Sequence, residues 1–217
     1  MKGVFAAYTE ISYGKDHIDF LRDELRSAGC PLFYCDGNKK REAESLSGYY
    51  ILLCMLRKRG REELMRSIVK DSMGRPYFEG ETGLDFNISH TSGFAVCALG
   101  EERRVGADTE GIPVGRVRNR LATRFFTPEE KKEYASAGMT EEAFATVWTR
   151  KEAYCKYTGN GIGGISEPET GRSGVTFVTK RIFVGERRFI ITVCTDRRNE
   201  EDAEDFQSFD KIETAPK

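Results

Sequence analysis

The feature that most constrains this chain is a pair of segments, distant in sequence, whose charged residues each fall on one face. In Val105-Gly106-Ala107-Asp108-Thr109-Glu110, strand alternation points Asp108 and Glu110 the same way. In Trp148-Thr149-Arg150-Lys151-Glu152-Ala153-Tyr154-Cys155-Lys156, helical spacing puts Trp148, Glu152 and Lys156 on one stripe, with Lys151 alongside. If the two surfaces face each other, three carboxylates converge beside two ammonium groups. That set suits a magnesium ion and a polyphosphate, because hard oxygens hold the metal and lysines hold the phosphate. Taken singly, each segment has a plainer reading: a solvated strand face, and an ordinary salt-bridge stripe with a core tryptophan.

The rest of the chain narrows the setting. A length of 217 residues suits one large domain or two small ones. The net charge of −1 provides no bulk field for nucleic acid, so no nucleic-acid partner is expected. The longest apolar run, Tyr49 to Leu56, falls far short of the roughly 20 residues that span a bilayer. The first residues show no long apolar stretch before a cleavage site, so a cytoplasmic protein without a membrane partner is expected. Six cysteines without a paired CxxC read as reduced, mostly buried thiols.

Periodicity predicts a strand over 4–9, helices over 17–28 and 42–59, a helical continuation over 62–70, and a turn at Met73 to Tyr77. Strands follow over 86–89 and 94–99. The loop Gly100 to Arg103 reads as a hairpin connection to the strand Arg104 to Glu110. Beyond it, 117–125 reads as helix. Thr127-Pro128-Glu129-Glu130 reads as a capped helix start, and 141–157 as the longest helix, stopped by Gly159. The glycine-rich stretch 159–164 is a loop after a helix, which excludes a phosphate-binding P-loop. Strands are predicted over 175–178, 181–184 and 189–194. The acidic tail from about 196 reads as loosely held. The plan is α+β, in two similar halves divided at 102/103 (1–102 and 103–217).

Five segments, in order, resemble the 4′-phosphopantetheinyl transferases of the surfactin-synthetase-activating type. They are Gly74-Arg75-Pro76, Phe86-Asn87-Ile88-Ser89-His90, Val105 to Glu110, Arg124 to Glu130, and Trp148 to Lys156. The resemblance implies a pseudo-twofold α+β monomer with its site between the halves. It implies magnesium-dependent transfer of the phosphopantetheine arm of coenzyme A to a serine of an apo carrier protein, releasing adenosine 3′,5′-bisphosphate. The carrier would serve polyketide, nonribosomal peptide or fatty acid synthesis.

By that resemblance Asp108, Glu110 and Glu152 are the metal ligands, and Glu152, Lys156 and Asp108 carry the catalysis. Lys151 and Lys156 would meet the phosphates. Ser89 and His90 match positions that touch coenzyme A phosphate, and Arg75 matches a basic residue near the 3′-phosphate. The serine proton would pass to Glu152 or to a water that it holds. One departure concerns the helix over 42–59, where the family often carries an arginine and this chain has Glu44, with Arg41 one turn earlier. Two readings compete with the transferase: a coenzyme A-binding module that has lost transfer, and an unrelated magnesium-dependent nucleotide enzyme.

Overall fold

In the computed structural model, residues 3–32, 38–81, 83–114, 117–159, 165, 174–197 and 206–213 are described. Four layers stack in the order helix, sheet, sheet, helix. The first sheet holds β1 (Val4–Glu10), β4 (Leu84–Thr91), β5 (Phe94–Glu101) and β9 (Phe206–Lys211), in the order β4-β5-β1-β9. The second holds β6 (Val105–Ile112), β7 (Val175–Val184) and β8 (Arg187–Asp196), in the order β6-β8-β7. A two-stranded ribbon, β2 (Ile68–Lys70) with β3 (Pro76–Phe78), completes the strands.

Strand alternation sorts the core. On β1 and β5, Ala7, Ala95, Cys97 and Leu99 face α1 (Lys15–Ser27) and α2 (Lys39–Arg57), where Leu21, Leu25, Leu46 and Leu53 are fully or almost fully buried. The intervening residues Val4, Ala6, Val96 and Ala98 pack on Val105, Ala107, Ile191 and Val193 of the second sheet. The opposite face of that sheet receives α5 (Glu141–Thr158) through contacts among Ala153, Val175 and Cys194 and between Ala145, Ile112 and Ile190. Short helices α3 (Arg118–Phe125) and α4 (Pro128–Ser136) close the end of α5 around Phe126, Tyr134 and Phe144. Trp148 stacks on Phe144 at 5.7 Å in this cluster, as its core reading required.

The α+β expectation holds, and several local expectations change. Glu62–Ser67 is a 3-10 helix followed by β2, because Ile68 and Val69 pair with Phe78 and Tyr77 instead of continuing the helix. Glu101 to Arg103 does not close a hairpin. β5 pairs with β4 and β1, while β6 pairs with β8 in the other sheet. The segments 175–178 and 181–184 are one strand of ten residues. The tail is not loosely held at 206–213: β9 lies parallel to β1, and Thr9 Oγ1 donates to Ile212 O at 2.8 Å. A late segment thus returns to the first sheet across the 102/103 division. Residues 160–164 and 198–205 of the loop and tail readings lie outside the described residues.

Candidate functional site

The site lies where two sheet edges meet under a helix. β4 ends the first sheet and β6 ends the second, and no backbone ladder joins them. Side chains of β4 do so instead: Asp85 Oδ2 accepts from Val105 N at 2.8 Å and Asn87 Oδ1 from Ala107 N at 2.9 Å. An edge strand's N–H groups are thereby satisfied without a partner strand.

Residues 106, 108, 110 and 112 of β6 face α5. Gly106 sets the approach, since a Cβ there would overlap Ala153 O and Tyr157 N of the helix. The helix is capped by Thr140, whose side chain accepts from Ala143 N, and stops at Gly159, whose φ of 83° is a left-handed conformation that glycine adopts readily. These boundaries bring Glu152 and Lys156 over Asp108.

Asp108 is 3% exposed. Its Oδ1 accepts from Lys156 Nζ at 2.6 Å and from Ser89 Oγ at 2.8 Å, and Lys156 Nζ also reaches Ser89 Oγ at 2.8 Å. Burial pushes Glu152 up to about 7; the charges of Asp108 and Glu110 and a hydrogen bond with Asp108 act in the same direction, while Lys156 opposes them. Burial, then the Asp108 charge, likewise pushes Glu110 up to about 7, against the Gly111 backbone and Lys156. The three carboxylates predicted to converge therefore sense one another, and one ammonium sits among them.

This donor set fits a hard divalent cation in charge and chemistry. It is all carboxylate oxygen, and Lys156 offsets only one of three negative charges. The side chains do not yet form a cage: among the described residues, no three acidic, histidine or cysteine side chains are grouped to hold one ion. Lys156 caps Asp108 at its Oδ1.

Two residues predicted to meet phosphates have protein partners in this structure. The helix turns Lys151 toward α4 and buries it. Its Nζ donates to Glu130 Oε2 at 2.8 Å and Oε1 at 3.1 Å, with both side chains at most 2% exposed. Arg75 is likewise an internal tie. Its Nη2 donates to Asp85 Oδ2 at 2.7 Å and Val105 O at 2.9 Å, and its Nη1 to Lys156 O, so the guanidinium fastens β4, β6 and α5 together. Glu130 has the structural role foreseen for it, closing the capping box with Thr127.

His90 follows Ser89 and projects to the other face of β4, half-exposed, with its Nδ1 at 3.6 Å from Glu44 Oε2 of α2. Sequence reasoning assigned no role to Glu44, Asp85 or Asn87. The only signal was the alternation of Asp85, Asn87 and Ser89 with Phe86 and Ile88, which marks one polar strand face.

Comparison with known proteins agrees with the second half of the chain. Residues 104–197 match the family model of the 4′-phosphopantetheinyl transferase superfamily. The 4′-phosphopantetheinyl transferase HetI of Nostoc sp. is 38% identical over 104 residues, covering 46% of this chain and 44% of the relative. The AcpT enzyme of Escherichia coli O157:H7 is 35% identical over 94 residues, covering 42% and 48%. A 4′-phosphopantetheinyl transferase of Bacillus subtilis is 31% identical over 91 residues, covering 41% and 39%. The matched region spans less than half the length of these curated relatives.

Proposed function

We propose, from the match of residues 104–197 to the 4′-phosphopantetheinyl transferase superfamily model, that this chain transfers the 4′-phosphopantetheine arm of coenzyme A to a serine of an apo carrier protein. The observation that carries the reading is the meeting of Asp108, Glu110, Glu152 and Lys156 between β6 and α5.

Asp108, Glu110 and Glu152 would hold a magnesium ion, which when bound supplies charge withdrawal at the attacked phosphorus. The serine Oγ of the carrier attacks the pantetheine-side phosphorus, and the bond to the bridging oxygen breaks, releasing adenosine 3′,5′-bisphosphate. Lys156 lies beside this centre and donates to the departing oxygen, offsetting the charge that develops there. Glu152 accepts the serine proton directly or through one water. Ser89 holds Lys156 and Asp108 in place from β4.

Carrier recognition is assigned to α3. Arg118 is bound to Glu141 at 3.1 Å, whereas Arg120 and Arg124 are exposed and face the acidic helix expected beside a carrier's serine. Arg116, just before this helix in the sequence, lies outside the described residues.

The test is intact-protein mass spectrometry of a panel of apo carriers incubated with the chain, coenzyme A and magnesium. Transfer adds about 340 Da to the carrier, the mass of the arm. No gain on any carrier, with coenzyme A binding demonstrated in the same sample, refutes the proposal and favours the non-catalytic module.

A further inference from the structure

Glu44 is a carboxylate in an unusual position. It projects from the buried side of α2 and is 7% exposed, whereas acidic side chains are almost never buried unless paired. Its polar neighbours hold it loosely. Tyr13 Oη donates to Oε1 at 3.4 Å, while His90 Nδ1 lies 3.6 Å from Oε2 and Lys40 Nζ 3.8 Å from Oε1. A formed charge-assisted hydrogen bond measures about 2.7–2.9 Å. Lys40 is 60% exposed on its side chain, and the Tyr13 hydroxyl, which also accepts from Gly93 N at 2.9 Å, brings no positive charge. His90 is the neighbour that gains a positive charge by taking up a proton.

Glu44 and Lys40 act on the imidazole of His90 from α2, Lys156 from α5 and Asp108 from β6. Burial pushes its pKa down; Glu44 and Asp108 raise it, and Lys156 and Lys40 lower it. Contacts of this kind are often long in a free enzyme and shorten when the ligand arrives.

We propose that Glu44 is a positioning residue for His90: it grips Nδ1 of the imidazolium so that Nε2 meets a phosphate oxygen of the substrate. The inference rests on the proposed reaction only in naming coenzyme A as the source of that phosphate. An arriving phosphate favours the charged ring, which takes a proton from solvent. Glu44 then closes on Nδ1 and fixes the ring plane. Without it, the ring would have to charge against Lys156 and Lys40 with only the Asp108 carboxylate in its favour.

The chain has two histidines, so imidazole NMR resolves His90 from His17, and His90→Asn assigns the signal. The His90 titration is followed with and without coenzyme A, in the wild type and in Glu44→Gln. Coenzyme A is expected to raise the wild-type His90 pKa by about one unit, and Glu44→Gln to remove most of that rise. In transfer assays, Glu44→Gln is expected to raise KM for coenzyme A about fivefold near neutral pH with kcat within about twofold, the penalty shrinking in acid, where the ring is charged in any case. His90→Asn combined with Glu44→Gln is expected to be no worse than His90→Asn alone. The inference is overturned by a His90 titration that ignores Glu44→Gln, by tighter coenzyme A binding in that variant, or by additive losses in the double variant. Should the wild type bind coenzyme A without transferring its arm, the reaction fails while the NMR titration still decides the role of Glu44.

Discussion

The ion pair between Lys151 and Glu130 offers the sharpest test of how this structure is held. Both side chains are out of solvent, at 2% and 1% exposure, and the ammonium spans both carboxylate oxygens at 2.8 and 3.1 Å. Glu130→Gln is the cleanest perturbation. The amide keeps an oxygen to accept from Thr127 N, so the capping box survives while the charge is lost. The ammonium of Lys151 then stays buried with this counter-charge removed, which costs about 3–5 kcal/mol. For a chain of this size, each kcal/mol lowers Tm by about 2–4 °C, giving an expected fall of roughly 6–20 °C. Thermal and urea denaturation followed by circular dichroism read it. Replacing both residues by apolar ones of similar volume, as in Glu130→Leu with Lys151→Met, removes the buried ammonium and should recover most of the loss apart from about 1 kcal/mol for the cap. Because Lys151 is assigned to the interior, this pair should also keep KM for coenzyme A within about twofold of the wild type. A Glu130→Gln protein within about 1 kcal/mol of the wild type would refute the energetic argument. A tenfold rise in KM in the folded double variant would return Lys151 to the phosphate.

The closeness of β6 to α5 predicts that Gly106→Ala, whose Cβ would overlap Ala153 O and Tyr157 N, destabilises the chain by about 1–3 kcal/mol in urea denaturation and lowers transfer more than Tm alone explains. Unchanged activity would separate that spacing from the chemistry. Glu110 and Glu152, raised to about 7, bind protons in the folded state that the unfolded chain releases near 4.5. Their favourable protonated state is fully present below about 4.5 and lost as pH rises through about 7, so the metal-free protein should become less stable across that window. Magnesium should accordingly raise Tm more at alkaline than at mildly acidic pH, and an equal rise at both in a thermal-shift series would count against a shared carboxylate site.

What was legible in the sequence was whatever a local period encodes. Asp108 and Glu110 share a strand face, Glu152 and Lys156 a helix stripe, and Thr127 to Glu130 a cap, because each statement needs only a few consecutive residues. What failed depended on partners far away in the chain. Lys151 is three residues from Trp148 and five from Lys156, so spacing alone could not tell that its side of α5 faces Glu130 and not the phosphates. Arg75 matched a motif, but its guanidinium is engaged by Asp85, Val105 and Lys156, three elements that meet only in the folded chain. β9 was missed for the same reason. An acidic stretch precedes it, and its pairing with β1 joins residues about 200 positions apart, a closure no local pattern announces.

These failures lie largely along one seam, and the seam has a consequence for function. β4 and β6 are held edge to edge by Asp85, Asn87, Ser89 and Arg75 rather than by a backbone ladder. Side-chain ties replace a ladder only where the strands must stand apart, and here the gap is where Lys156 and Asp108 meet. The same residues therefore set both the separation of the two sheets and the position of the charged centre. A substitution in Asp85 or Asn87 should move the carboxylates as well as weaken the fold, so stability and activity are coupled along this seam in a way they are not at the Lys151–Glu130 pair on the far side of α5.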